Sequence, residues 1–146
     1  MPIKSFRGLI ADDGEDVIHL HTNDGSTGYK IVKFQAIPKQ PMTLDQENVL
    51  KIYKVSPSAV DGDVDFSDQT LLGVCCVKYS NDSATAAIGE SIIFDNETFN
   101  QDIYVTQEDV GSGGRPCNYY IELEQTKLSL DENTVATLKD IRNVKG

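Results

Sequence analysis

Apolar and polar positions alternate along this chain in short runs, and each run closes on Gly, Asn, Asp or Pro, a pattern that predicts strands. The first run, Ile3 to Ile10, ends at Asp12-Asp13-Gly14. A second, Val17 to His21, is followed by Asn23-Asp24-Gly25 and then by Tyr29 to Ala36, so the Asp-Gly step marks a hairpin. Pro38 and Pro41 break the chain, since neither can donate to a sheet ladder. Val49 to Val55 follows, ending at Ser56-Pro57. Leu71-Leu72-Gly73-Val74-Cys75-Cys76-Val77 is apolar on both faces, which places it centrally in a sheet or at a contact between subunits. After a small-residue loop from Ser80 to Glu90 come Ser91–Phe94, Asp102–Thr106 and Asn118–Gln125. In the last of these Tyr119, Ile121 and Leu123 share one face while Tyr120, Glu122 and Glu124 share the other. Gly111-Ser112-Gly113-Gly114 joins the final two runs as a flexible loop.

Only the C-terminus has helical spacing. Ser129 and Glu132 stand as a capping box, and Val135, Leu138 and Ile141 recur at the helical period behind it. Together these elements predict an all-β fold: an antiparallel β-sandwich or jelly roll of about eight strands with a short C-terminal helix, in one domain over residues 1–146.

Charge narrows the function classes. The 146 residues carry 23 acidic and 13 basic side chains, a net charge of −10. A phosphate backbone or an anionic membrane needs a concentrated Lys/Arg surface, so neither nucleic acid nor membrane is the expected partner. The N-terminal residues lack the apolar core of a signal peptide, and no apolar run approaches the ~20 residues of a membrane span. Three cysteines, two of them adjacent, do not make a disulfide framework; Cys75, Cys76 and Cys117 are expected as small hydrophobes in a protein folded in a reducing cytosol.

Candidate chemistry is sparse. His19-Leu20-His21 on a strand presents two imidazoles on one face, a frequent metal-binding arrangement and the opening of the cupin metal motif. The Glu that should follow is missing from Thr22 to Ser26, and the plainer expectation is Ile18 and Leu20 in the core with both histidines in water. Asp61-Gly62-Asp63-Val64-Asp65, with Asp68, has carboxylates at alternate positions suited to calcium. An EF-hand would need Gly at Phe66 and Glu at Leu72, so only a calcium loop of another kind remains. Asp12, Asp13, Glu15 and Asp16 suggest a solvated turn. Nucleophilic catalysis lacks a base near any Ser or Cys, and no phosphate-binding glycine loop occurs. Asn81-Asp82-Ser83 and Asn96-Glu97-Thr98 match the glycosylation sequon without a secretory signal to use it. No enzyme, cofactor or metal-site residues are assigned on this basis.

Five stretches carry a resemblance: residues 3–10, Leu20-His21-Thr22-Asn23-Asp24-Gly25, Val64-Asp65-Phe66-Ser67-Asp68, residues 94–106, and Asn118-Tyr119-Tyr120-Ile121-Glu122-Leu123-Glu124. Together they resemble a family of small virion structural proteins of marine bacteriophages. The resemblance brings no catalytic or metal motif. It implies a capsid decoration (cement) protein on the virion surface, made in the host cytoplasm, that bridges subunits of the major capsid protein. Such a domain is expected to be a homo-oligomer, most simply a trimer on a local threefold axis. The run Leu71–Val77 or the helix face of Val135, Leu138 and Ile141 is the expected contact. The alternatives are a tail, baseplate or fibre component, and a calcium-dependent carbohydrate-binding module using Asp61, Asp63, Asp65 and Tyr29, Tyr53 or Tyr120. A cupin-like metalloenzyme on His19 and His21 comes last.

Overall fold

The computed structural model describes residues 2–22, 25–40, 46–79, 87–94, 98–111, 113–129, 131, 132 and 137. Eight strands run β1 (Ile3–Ile10), β2 (Gly14–Ile18), β3 (Thr27–Pro38), β4 (Gln46–Tyr53), β5 (Leu71–Tyr79), β6 (Ala87–Ile93), β7 (Ile103–Asp109) and β8 (Cys117–Lys127). They form two antiparallel sheets, β1-β8-β3 and β2-β7-β4-β5-β6, packed face to face as a sandwich. Pairing 1 with 8, 2 with 7 and 4 with 5 is the nested connectivity of a jelly roll. In that scheme β6 would pair with β3. Here it hydrogen-bonds to β5 and lies beside β3, where Ser91 Oγ donates to the Phe34 carbonyl at 2.7 Å.

The alternation expected of β8 is present, with Cys117, Tyr119, Ile121 and Leu123 buried and the residues between them facing out. They meet Ile31 and Phe34 of the neighbouring β3 and Leu50, Ile52, Leu72, Ile103 and Val105 of the facing sheet in one core. β5 is central, between β4 and β6, and buries both faces. Leu72, Cys75 and Val77 enter the main core, while Leu71 and Val74 join Tyr53 in a second cluster on the outer side. Adjacent Cys75 and Cys76 accordingly go to opposite faces.

Several boundaries differ from expectation. β2 begins at Gly14 and ends at Ile18, so His19 and His21 lie beyond the strand; β2 exists only where β7 supplies partners, from Gln107 to Ile103. β6 begins at Ala87, inside the expected loop Ser80–Glu90, because β5 continues to Tyr79 and provides the ladder. Ser129 and Glu132 do exchange capping-box bonds: the Glu132 amide donates to Ser129 Oγ at 3.3 Å and the Ser129 amide to Glu132 Oε1 at 3.1 Å. Val135, Leu138 and Ile141, like Asn81 and Asn96 of the sequons, lie outside the described residues. No helix among the described residues is long and apolar enough to cross a membrane.

Candidate functional site

The acidic run is part of a long connection, from Lys54 to Thr70, that folds back over the outer face of the larger sheet. Lys51 projects from that face and is almost wholly buried beneath the loop, 3% exposed. Its Nζ donates to Asp61 Oδ1 at 2.8 Å and to the Asp63 carbonyl at 2.6 Å, and lies 5.6 Å from the Tyr53 ring centre. Burial works against the ammonium, but the bonds to Asp61 and Tyr53 outweigh it and raise the Lys51 pKa. Gly62 permits the approach, since a Cβ there would collide with Val110. Asp65 accepts from the amide and hydroxyl of Ser67, and Asp68 does the same for Thr70. The carboxylates expected to converge on calcium are thus directed to Lys51 and to turns of the loop itself.

The carboxylates that do converge are Asp12, Asp13 and Glu108, whose oxygens lie within 4.8 Å of one another. Asp13 sits in the left-handed region, φ 60°, at the corner where β1 crosses into β2. Asp12 turns inward, its Oδ1 accepting the Asp109 amide at 2.8 Å. A hydrogen bond with Asp13, then burial and the charges of Asp13, Asp12 and Asp61, raise the Glu108 pKa. The sequence marked Asp12 and Asp13 as a solvated turn and gave no sign of Glu108, which arrives from β7.

This crowding is a cost at neutral pH. A carboxyl whose folded pKa is raised adds stability below its unfolded pKa and loses it as pH rises through the folded value. Glu108→Gln should therefore stabilise the protein at pH 7, by no more than about 0.5 kcal/mol after solvent screening. The gain should vanish near pH 4. Urea midpoints at the two pH values measure it, and an equal gain at both would refute the account by carboxyl crowding.

His19 and His21 face solvent while Ile18 and Leu20 are buried, each 5% exposed. This matches the plainer expectation and leaves no interior imidazole pair for a cupin centre. Both rings converge on Asp102, which the sequence marked only as the start of a strand: His19 Nδ1 is 3.2 Å from Oδ2 and His21 Nδ1 is 2.7 Å from Oδ1. Oδ1 also accepts the amides of Leu20 and His21 at 2.8 and 3.0 Å. Burial raises the Asp102 pKa, but these donors outweigh it and hold the carboxyl well below the usual range.

Tyr29 and Tyr53 are packed, Tyr29 stacking on Phe99, so neither presents a ring to a sugar. Tyr120 is half-buried, its hydroxyl donating to Glu122 at 2.7 Å. Burial pushes the Cys75 thiol up to about 11 and the Cys117 thiol up to about 12, which suits them to packing rather than to nucleophilic attack.

The surface with most to offer a partner is the outer face of the smaller sheet. The Lys54–Thr70 loop covers the larger sheet around Lys51, Tyr53 and Val74 but leaves Val17 and Ile92 exposed; the smaller sheet has exposed Ile3, Leu9 and Ile37, at 51, 46 and 54%. Register sets Leu9 and Ile37 on either side of Asn118, and Arg7 and Gln35 on either side of Tyr120. Ser5 and Lys33 flank Glu122, and Ile3 and Lys30 flank Glu124. Arg7, Lys30 and Lys33 against Glu122 and Glu124 leave this face slightly basic on a strongly acidic protein. Neither protein-family models nor curated protein sequences show a match to this chain.

Proposed function

We propose that this protein is a structural component of a bacteriophage virion, a capsid decoration protein that stabilises the head by bridging major-capsid subunits. The observation that carries the reading is the asymmetry of the sandwich. One outer face is covered over Lys51, Tyr53 and Val74 by the Lys54–Thr70 loop, while the other carries no such loop among the described residues and mixes apolar, acidic and basic side chains. A face of that composition suits a lasting protein–protein contact more than a small-molecule site. The resemblance of residues 3–10, 94–106 and 118–124 to virion structural proteins of marine phages supports the same class. Repulsion among acidic copies would keep the unassembled protein soluble before it meets the shell.

The mechanism is interfacial: one sandwich spans a seam between capsid subunits and resists the outward pressure of packaged DNA. Cryo-microscopy of purified particles tests it. The expected result is density of this fold on the head at subunit boundaries; density on the tail or baseplate, or none on the particle, would overturn the reading. The carbohydrate-binding alternative loses support because Asp61, Asp63 and Asp65 do not share a focus and Tyr29 and Tyr53 are packed.

A further inference from the structure

Of the four strands at sheet edges, three are obstructed. β3 is bulged between Ile31 and Lys33, pairs at Tyr29 with Phe99, and has β6 beside it. β6 is engaged by that same contact. β2 is five residues long and carries Glu15 and Asp16 next to the Asp12–Asp13 corner, so a second strand of like charge would be repelled. β1 is different: eight residues, only Ile10 of them buried, and paired on one side alone among the described residues.

The direction of its free hydrogen-bonding groups can be worked out. The Gln125 amide donates to the Pro2 carbonyl at 2.9 Å, so residue 2 stands opposite 125 in a hydrogen-bonded pair. Alternation along an antiparallel ladder then assigns Lys4, Phe6, Gly8 and Ile10 to bonding β8. Ile3, Ser5, Arg7 and Leu9 direct their N–H and C=O groups away from the sheet. A row of this kind is a template for another strand.

We propose that the occupant is β1 of a second copy, paired antiparallel about a two-fold axis at Phe6, so that two three-stranded sheets join into one. The register follows from the sequence. Side chains keep their faces only when the numbers of opposed residues sum to an even value. Centring on Arg7 sets two guanidinium groups against each other, and centring on Ser5 shortens the ladder and opposes Ile3 to Arg7. Centring on Phe6 opposes Ile3 to Leu9, Lys4 to Gly8 and Ser5 to Arg7, with Phe6 facing Phe6 on the inner side. The residues with free backbone groups are then the hydrogen-bonded pairs, giving about eight bonds between copies. Ile3 and Leu9, exposed in the single chain, cover each other. Arg7 of one copy enters the row of Ser5 and Glu122 in the other, a complementary charge. This contact is isologous and closes at two copies, in place of the threefold arrangement suggested by the sequence.

Sedimentation of the full chain should show a dimer at about 100 μM. Ile3→Asp and Leu9→Lys should each raise the dimer dissociation constant tenfold or more. The double variant should restore it to near the wild-type value, since each new carboxylate faces the new ammonium of the other copy. Within one chain positions 3 and 9 lie about 20 Å apart, so such rescue cannot arise internally. Amide exchange should show Ile3, Ser5, Arg7 and Leu9 more protected at high than at low protein concentration, whether or not the variants fold. A monomer or trimer at that concentration, a double variant weaker than either single one, or concentration-independent exchange at those four amides would overturn the proposal. None of these outcomes depends on where the protein sits in a particle.

Discussion

Asp61→Ala should lower the unfolding free energy by about 3 kcal/mol, the cost of leaving a buried charge without its counter-ion. Asp61 is itself half in water and could be spared; the penalty falls on Lys51, 3% exposed under the loop, whose remaining partners among the described residues are the Asp63 carbonyl and Tyr53. The origin of the loss can be isolated. Lys51→Met keeps most of the volume and removes the charge, so the Asp61→Ala/Lys51→Met double variant should be more stable than Asp61→Ala alone. pH supplies a second check. The Lys51 hydrogen bond lowers the Asp61 pKa, so its stabilisation is complete above the unfolded value near 3.9 and is lost as pH falls through the folded one. The raised Lys51 pKa places the opposite limit above about pH 10. The difference between wild type and Asp61→Ala should therefore be flat from about pH 5 to 9 and shrink in acid. Guanidinium melts of the wild type and the two variants measure these differences. A loss under 1 kcal/mol for Asp61→Ala would mean that the loop does not hold the lysine dry.

How much of this was legible in the chain depends on sequence separation. β8 could be read directly, because the alternation of Tyr119, Ile121 and Leu123 with Glu122 and Glu124 is a local record of one dry and one wet face. β5 announced its central place by having no polar face. Which strands pair was not legible: the Asp24-Gly25 step pointed to a hairpin, yet β2 and β3 lie in different sheets, and β1 with β8 joins Ile10 to Cys117 with nothing in either run encoding the other. The candidate sites failed for the same reason. Asp61, Asp63 and Asp65 looked like a cation loop because neither Lys51, which takes the Asp61 carboxylate, nor the Ser67 turn that occupies Asp65 can be read from their spacing. Glu108 meets Asp12 and Asp13 only after the sandwich closes. Lys51 and Thr106 carry polar side chains yet are buried, an inversion of pattern that marks where the loop lies.

Asp102 makes the same point and carries the second large effect. Asp102→Ala should cost about 2–3 kcal/mol at pH 7, since a carboxylate accepting backbone amides is among the stronger hydrogen-bonding groups. The Leu20 and His21 amides follow the last residue of β2, and Asp102 immediately precedes β7, so this carboxylate ties the chain leaving one strand to the chain entering its neighbour. The imidazoles add less. His19 and His21 side chains are 76% and 56% exposed, and His19→Ala or His21→Ala should each cost about 0.5 kcal/mol or less. The sign with pH follows from the lowered carboxyl. Its contribution is whole above about pH 4, where the unfolded chain's aspartate is also ionised, and fades as acid protonates the folded one. Wild type and Asp102→Ala should thus differ by a constant amount above about pH 4 and draw together only in strong acid, as the pH falls through the lowered folded value. If removing both imidazoles destabilised the protein as much as removing Asp102, the rings rather than the backbone amides would be what the carboxylate holds. The β2–β7 junction would then rest on a surface ion pair.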